Sequence, residues 1–465
     1  MRLTRRKLLL GLAAGPLLPG DAAPGTHLLL DSRVTAQVEG ARLRLGTVTK
    51  DRANPLFGEE RPWEVRFDNL YANVLRDDDG WYKCWYSPFI VDPAVSETPR
   101  GERSGVPYRP RGREMGVCFA RSRDGIAWEK PGLGLIEFAG SRRNNLVSRG
   151  PHGAGVWRDD HDPDPARRYK MFFSGDRQTP GLDRRAVACM VSADGLRWTN
   201  PVSLDAIDAP ADTHNFAFWS EELQRYVGFT RLREAPPRRH RLVGRTESPD
   251  FIHWTKAAEV FRSLPGEETR QTYAMPVFRY GSAYLGLIMM FNTDSDKVDC
   301  ELAWSPDTVR WERVCPGTPL IPRGPEGSYD AGCVYAAAHP VVERDEIRLY
   351  YGGSNGPHTG WRDGSFCLAR LRPDGFAGYA AESGSIVTKR VRCTGSRLLV
   401  TADGGLIRAG VRGLAGREPG DAKPLTGAVT ARAVEWRGGD LPADRDVELV
   451  FELRDATLYA FRFAA

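Results

Sequence analysis

The 465-residue sequence predicts an all-β chain, a five-bladed β-propeller followed by a C-terminal β-sandwich, and three observations carry that prediction. A turn motif, Ser-x-Asp-x-x-x-Trp, recurs at Ser122-Asp124-Trp128, Ser192-Asp194-Trp198, Ser248-Asp250-Trp254 and Ser305-Asp307-Trp311, with a degenerate fifth copy around Asp374-Gly375. An aromatic or apolar strand precedes each copy: Tyr82–Tyr86, Tyr169–Phe173, Tyr226–Thr230, Tyr284–Ile288 and Arg348–Tyr351. Beyond Glu382 the motif disappears while short strand-like segments continue.

The turn motif has a local physical basis. Ser and Asp side chains bond back to nearby backbone amides, Gly after the first two Asp residues tolerates positive φ, and Trp packs the start of the next strand. The interval between Trp anchors, roughly 55–70 residues, matches one four-stranded blade with its loops. Two signals repeating in phase argue against an ordinary sandwich with coincidental turns. The propeller is assigned to residues 26–381 and the sandwich to 382–465, the latter from segments such as Arg397–Thr401, Leu406–Val411, Val447–Leu453 and Leu458–Phe463.

Residues 1–25 are predicted to be an export signal. Arg5-Arg6 is a twin-arginine pair leading into the apolar run Leu8–Leu18, which breaks at Pro19-Gly20 and is too short to span a bilayer. The predicted location is therefore periplasmic or extracellular, by the twin-arginine route, with no membrane attachment after signal removal. Much of the formal charge of +5 belongs to this segment, and the remainder gives no global case for a nucleic-acid partner. Among 8 cysteines, Cys118, Cys189, Cys300 and Cys367 fall in comparable blade positions and none forms a Cys-x-x-Cys pair, so unpaired core thiols are expected.

Connections sort by length. Links between first and second strands, such as Asp77–Gly80, and the Ser-x-Asp turns are short; the second-to-third links are long, from Ser87 to Arg113 and from Gly352 to Gly364 for example. One face therefore carries tight turns and the other carries the elaborate loops, where function concentrates. On that face, the residues just ahead of the innermost strands are Asp68, His152, Asp212, Glu268 with Arg270, and Asp330. Asp68, Asp212, Glu268 and Asp330 are thus expected to converge on one central well. Crowded carboxylates differentiate in pKa, and one protonated and one ionised acid is what glycoside hydrolysis requires.

At this point the chain resembles the five-bladed propeller glycoside hydrolases, the invertase/levanase and arabinanase/xylosidase families. The resemblance rests on the five blades, the Ser-x-Asp-Gly-x-x-Trp turns and the appended sandwich. It implies that the acid of the first innermost strand, Asp68, is nucleophile or base, and that the third blade supplies the general acid. The chain departs from the pattern: it lacks the Trp-x-Asn-Asp-Pro, Arg-Asp-Pro and Glu-Cys motifs of invertases, its second blade offers His152, and its third offers Asp212 in place of Glu.

The predicted function is an exported glycoside hydrolase acting on a polysaccharide or oligosaccharide. Asp68 is the base or nucleophile, Asp212 or Glu268 the acid, and Asp330 orients or tunes them. His152, His214, Asn215, Arg231, Arg270 and Trp361 are the candidate substrate-binding residues, with Trp361 offering a face to a sugar ring and Tyr71, near the same rim, assigned to core packing. Arginines along the loop-rich face point to an anionic substrate, since guanidinium pairs carboxylate or sulfate bidentately. A non-catalytic glycan-binding propeller and a polysaccharide lyase are the alternatives. No ligand spacing calls for a metal or other cofactor; the one exception considered is a calcium ion on the axis, approached by His339 or His358.

Overall fold

The computed structural model describes residues 25–96, 98–106 and 112–465, so the proposed export signal lies outside the described residues apart from Gly25. The chain is nearly all β. The helical segments among the described residues are four short 3-10 turns, Arg100–Gly105, Pro165–Arg167, Asp205–Ile207 and Pro419–Asp421.

A four-strand antiparallel meander recurs along the first three quarters of the chain. The first runs Asn73–Arg76, Tyr82–Tyr86, Glu114–Ser122 and Trp128–Glu129, and Leu146–Arg149 adds to its third strand. The second is His152–Arg158, Tyr169–Gly175, Ala186–Ser192 and Val202–Ser203, and the third Phe216–Ser220, Arg225–Arg233, Arg241–Ser248 and Ala258–Phe261. In the fourth, Arg270–Ala274 and Val277–Tyr280 both pair with Ala283–Asn292, followed by Lys297–Ser305 and Glu312–Val314. One parallel pair, Val298 with Cys333, connects this sheet to the fifth meander.

The fifth meander takes a partner from earlier in the chain. Cys333–Ala336, Ile347–Ser354 and Gly364–Leu371 supply three strands, and the outer partner comes from Thr49–Lys50 and Phe57–Gly58. The turn at Asp374-Gly375 leads instead into the C-terminal sheet. Hydrogen bonds thereby tie the segment ahead of the first meander to the fifth.

The recurring turn works as its chemistry requires. Gly125 N donates to Ser122 Oγ at 2.8 Å, and Ile126 N and Ala127 N donate to Asp124 Oδ1 at 2.8 and 2.9 Å. In the third and fourth copies Phe251 and Thr308 take the place of Gly and adopt φ of 70° and 67°. Such backbone is costly for residues with a Cβ. It is held by the same Asp-to-amide bonds, at Asp250 and Asp307.

The C-terminal part differs from expectation. Its strands pair into one seven-stranded antiparallel sheet, with a separate two-stranded pair, Val391–Cys393 and Arg445–Val447. Segments expected as four strands are two long ones, Arg397–Val411 and Leu449–Ala464, paired along their length. They bend where Gly404 and Asp455 take positive φ, which let one strand look like two in sequence. His27–Leu28, Thr35–Glu39 and Arg42–Leu45 belong to this sheet as well, so residues 27–45 pair here and not with the meanders.

The C-terminal sheet shares a core with the fourth and fifth meanders, in which Leu28, Tyr280, Phe376 and Tyr459 are all buried. All eight cysteines are unpaired, and all except Cys315 are buried.

Candidate functional site

The site starts from a strained segment. Asp68 and Asn69 precede Leu70 and Tyr71, two consecutive residues with φ of 61° and 44°. Each such non-glycine residue costs about 1–3 kcal/mol, and strain of this kind persists only where surroundings enforce it. Here burial enforces it: Leu70 and Tyr71 are 1% and 3% exposed, and Ser87 N donates to Leu70 O at 2.7 Å. The Tyr71 ring that follows the kink has its centroid 5.6 Å from that of His152 and 5.4 Å from that of His214.

Asp68 is gripped by two guanidinium groups. Arg362 Nη2 donates to its Oδ1 at 2.9 Å and Arg66 Nη2 lies 3.1 Å from the same oxygen. Burial pushes the carboxyl up, but Arg362 and Arg66 outweigh it and hold Asp68 well below the usual carboxylate range. Arg362 also donates to Asn69 Oδ1 at 3.1 Å, and Asn69 Nδ2 donates in turn to the hydroxyls of Tyr71 at 2.7 Å and Tyr273 at 2.9 Å.

Asp212 forms the other pole. Its Oδ2 is 3.1 Å from Arg231 Nη1 and its Oδ1 3.6 Å from His152 Nε2. Burial raises this carboxyl too, and Arg231, then His152, pull it below its ordinary value. Burial lowers His152 itself, while Asp212 and Asp68 act in the opposite sense. Both carboxylates also bear on Tyr71 and Tyr273, whose hydroxyl pKa values burial pushes up. The two acids therefore share one electrostatic environment, in which both are ionised at neutral pH.

Tyr273 and Tyr335 complete the well. Arg231 Cζ stands 4.3 Å from the Tyr273 ring centroid, and His358 packs 4.7 Å from it while sharing a 2.8 Å hydrogen bond with the Tyr335 hydroxyl. These tyrosines occupy the place in the fourth and fifth meanders where carboxylates were expected.

Of the residues named from sequence, Asp68, His152, Asp212 and Arg231 come together, and Trp361 stands at the rim between Arg66 and Arg103, 5.5 and 5.1 Å from their guanidinium carbons. Glu268 does not join them. It is solvent-exposed in the loop before Arg270, because the strand begins there and Tyr273, further along, is the residue that meets Asn69 and Arg231. Asp330 is also elsewhere: 1% exposed, it pairs with Lys50 Nζ at 2.5 Å and accepts from the Tyr351 hydroxyl at 2.8 Å, fastening the closing strand of the fifth meander. Arg270 pairs instead with buried Glu301 and with Glu267.

Two more sit beneath the site. Asn215 spends its amide on the carbonyls of Ala211 and Thr213, and His214 lies on the floor with Nε2 3.2 Å from Asn73 Oδ1. Arg66, Arg362, Asn69, Tyr273 and Tyr335 were not singled out for this site from sequence, and His358 was considered there only beside a calcium ion. The one available signal was that Arg362 adjoins Trp361 in a long loop. Among the described residues no group of three or more His, Cys, Asp or Glu side chains is placed to hold a metal ion. His358 Nδ1 is engaged by Tyr335.

No protein-family model and no curated protein sequence matches the chain. Solved structures similar to it in part include a β-1,2-mannobiose phosphorylase from Listeria innocua, 15% identical, covering 70% of this chain and 97% of that one with a TM-score of 0.47. A glycosyl hydrolase from Bacteroides ovatus is 14% identical over 70% of this chain and 94% of its own, with a TM-score of 0.45. An N-acetylgalactosamine deacetylase from F. plautii is 15% identical over 72% and 96%, also with a TM-score of 0.45. At these identities and TM-scores below 0.5, none of their activities is transferred to this chain.

Proposed function

We propose that this chain is an exported glycan-processing enzyme, a glycoside hydrolase whose meanders form the five blades of a propeller and whose central well carries the chemistry. The observation that carries the reading is the convergence of Asp68 and Asp212, from separate meanders, on one well that also holds His152, Tyr71 and Tyr273. A pure binding surface has no need for two ionised carboxylates beside a histidine on a strained backbone.

In this mechanism Asp68, ionised by its two arginines, takes the proton of the attacking water or attacks the anomeric carbon itself. Glu268 has no part in it. The departing sugar oxygen takes its proton from His152 in its imidazolium form, which burial opposes and which Asp212, 3.6 Å away, and Asp68 favour, so this step draws on the minor protonated form at neutral pH. Tyr71 and Tyr273 donate hydrogen bonds to the substrate. Their raised pKa values suit donors and disfavour either as the base of a lyase.

The test is a panel of neutral and acidic oligosaccharides and polysaccharides incubated with the mature protein. Release of reducing ends supports hydrolysis. Ultraviolet-absorbing unsaturated products would move the assignment to a lyase, and binding with no product from any member would make the chain a glycan-binding protein.

A further inference from the structure

The hairpin that carries Arg231 holds more positive charge than its surroundings balance. Strand Arg225–Arg233 pairs with Arg241–Ser248 in a register that sets Arg233 directly opposite Arg241, and Arg231 lies two residues back on the same face. Like charges directly opposite across a strand pair destabilise it, so three guanidinium groups on one sheet end need a reason.

The nearby acids do not balance them. Asp212 serves both Arg231, at 3.1 Å, and Arg233, at 3.9 Å. Glu234 turns away to His240 and Arg262 at 3.7 and 3.4 Å. Arg241 has the neutral amide of Gln271 at 2.8 Å and the rings of Phe291 and Tyr273 at 4.8 and 5.6 Å. The Nε atoms of Arg231 and Arg241 are buried without a hydrogen-bond partner. Arg231 is itself 1% exposed. Burial and the neighbouring guanidinium of Arg231 lower the pKa of Arg241 to about 10, the electrostatic counterpart of the same crowding.

We propose that Arg231, Arg233 and Arg241 form an oxyanion subsite beside Asp212, which receives the carboxylate or sulfate group of an acidic sugar residue. The proposal rests on the glycan reading of the well and specifies its substrate class. A planar guanidinium fork matches a carboxylate or sulfate with two parallel hydrogen bonds, and the anion supplies the charge the hairpin lacks. Arg233, with 35% of its side chain exposed, is the point of entry. The Tyr273 ring, with Arg231 and Arg241 both against it, offers a surface for the sugar to pack on.

The experiment is calorimetric binding to the intact mature protein, without turnover, at matched low ionic strength. The probes are glucuronate, galacturonate, a 6-sulfated hexose, glucose, inorganic sulfate and inorganic phosphate. An acidic sugar should bind where glucose does not, and R233Q and R241Q should each weaken it by about tenfold, as loss of a charge-assisted hydrogen-bonded partner does. R233Q changes a partly exposed side chain, so it tests the subsite even if R241Q proves unstable. Inorganic sulfate or phosphate binding as tightly as every acidic sugar would assign the site to a free anion and overturn the acidic-sugar proposal. No anion binding, or unchanged affinity in R233Q, would overturn it as well. Cleavage of neutral glycans with no anion binding removes the subsite and leaves the enzyme reading standing; anion binding with no glycan cleaved does the reverse.

Discussion

Asp68 Oδ1 accepts a 2.9 Å hydrogen bond from Arg362 Nη2, a residue 294 positions further along the chain. That contact ties the segment entering the first meander to the long loop of the fifth. It also sets a carboxylate against a guanidinium that is 1% exposed.

Removing one partner of such a pair leaves the other buried and uncompensated. D68N should therefore lose about 3 kcal/mol of stability, the scale of a broken buried ion pair. The double variant D68N/R362M should recover part of it. Denaturant unfolding of the two single variants and the double checks this, and strictly additive losses would show that the pair is not coupled.

Glu59 predicts a pH effect near neutrality. Its Oε1 accepts from Phe67 N at 2.6 Å and from Gly364 N at 3.3 Å, bracketing the segments that carry Asp68 and Arg362. Burial pushes this carboxyl up to about 7, with the Phe67 amide and Arg100 opposing. The folded chain therefore holds a proton that the unfolded chain releases near 4.5, and Glu59 costs stability progressively as pH rises from 4.5 to 7. The stability of E59Q relative to the native protein should grow across that window in melting experiments. A constant difference would mean that Glu59 titrates alike in both states.

Three histidines act in the opposite sense. Burial lowers His214 and His358 to about 3 and His339 to about 4, from 6.5. Their neutral forms fit the fold, so their contribution is full above pH 6.5 and is lost as pH falls toward 4 and the unfolded state takes up protons. Of these, His339 lines a pocket with Val156 and Phe218 that includes neither Asp68 nor Asp212. H339N should flatten the loss of melting temperature between pH 6.5 and 4, and an unchanged slope would remove His339 from this account.

Truncation after residue 381 should give insoluble or strongly destabilised protein. It removes Tyr459 from a core shared with Tyr280 and Phe376, and strips the partner strand from Tyr379–Ala381 and from His27–Leu28. The exposed edge and apolar face left behind favour aggregation. A soluble truncated chain melting with the intact protein would contradict this role for the C-terminal sheet.

What sequence made legible was local. The Ser-x-Asp turns could be read because each Ser and Asp bonds to amides two or three residues away. The closing strand of the fifth meander could not: Thr49–Lys50 and Phe57–Gly58 are two residues each and pair with residues more than 300 positions later. Asp68, His152 and Asp212 were found by counting back from strand starts. The same counting failed at Glu268, because the strand begins at Arg270 and a buried tyrosine, not the acid, reaches the well. Arg362 escaped notice for a related reason, since its partner lies across the whole fold and no local pattern marks it.

The central claim is that Asp68 performs chemistry in the well and does not merely balance arginines. The measurement that tests it most directly is turnover by D68N on a glycan that the native protein cleaves, at a temperature where the variant is shown by circular dichroism to be folded. The account predicts a fall in kcat of about a thousandfold or more with KM changed far less, as removal of a catalytic base or nucleophile requires. A folded D68N variant with near-native kcat would contradict it.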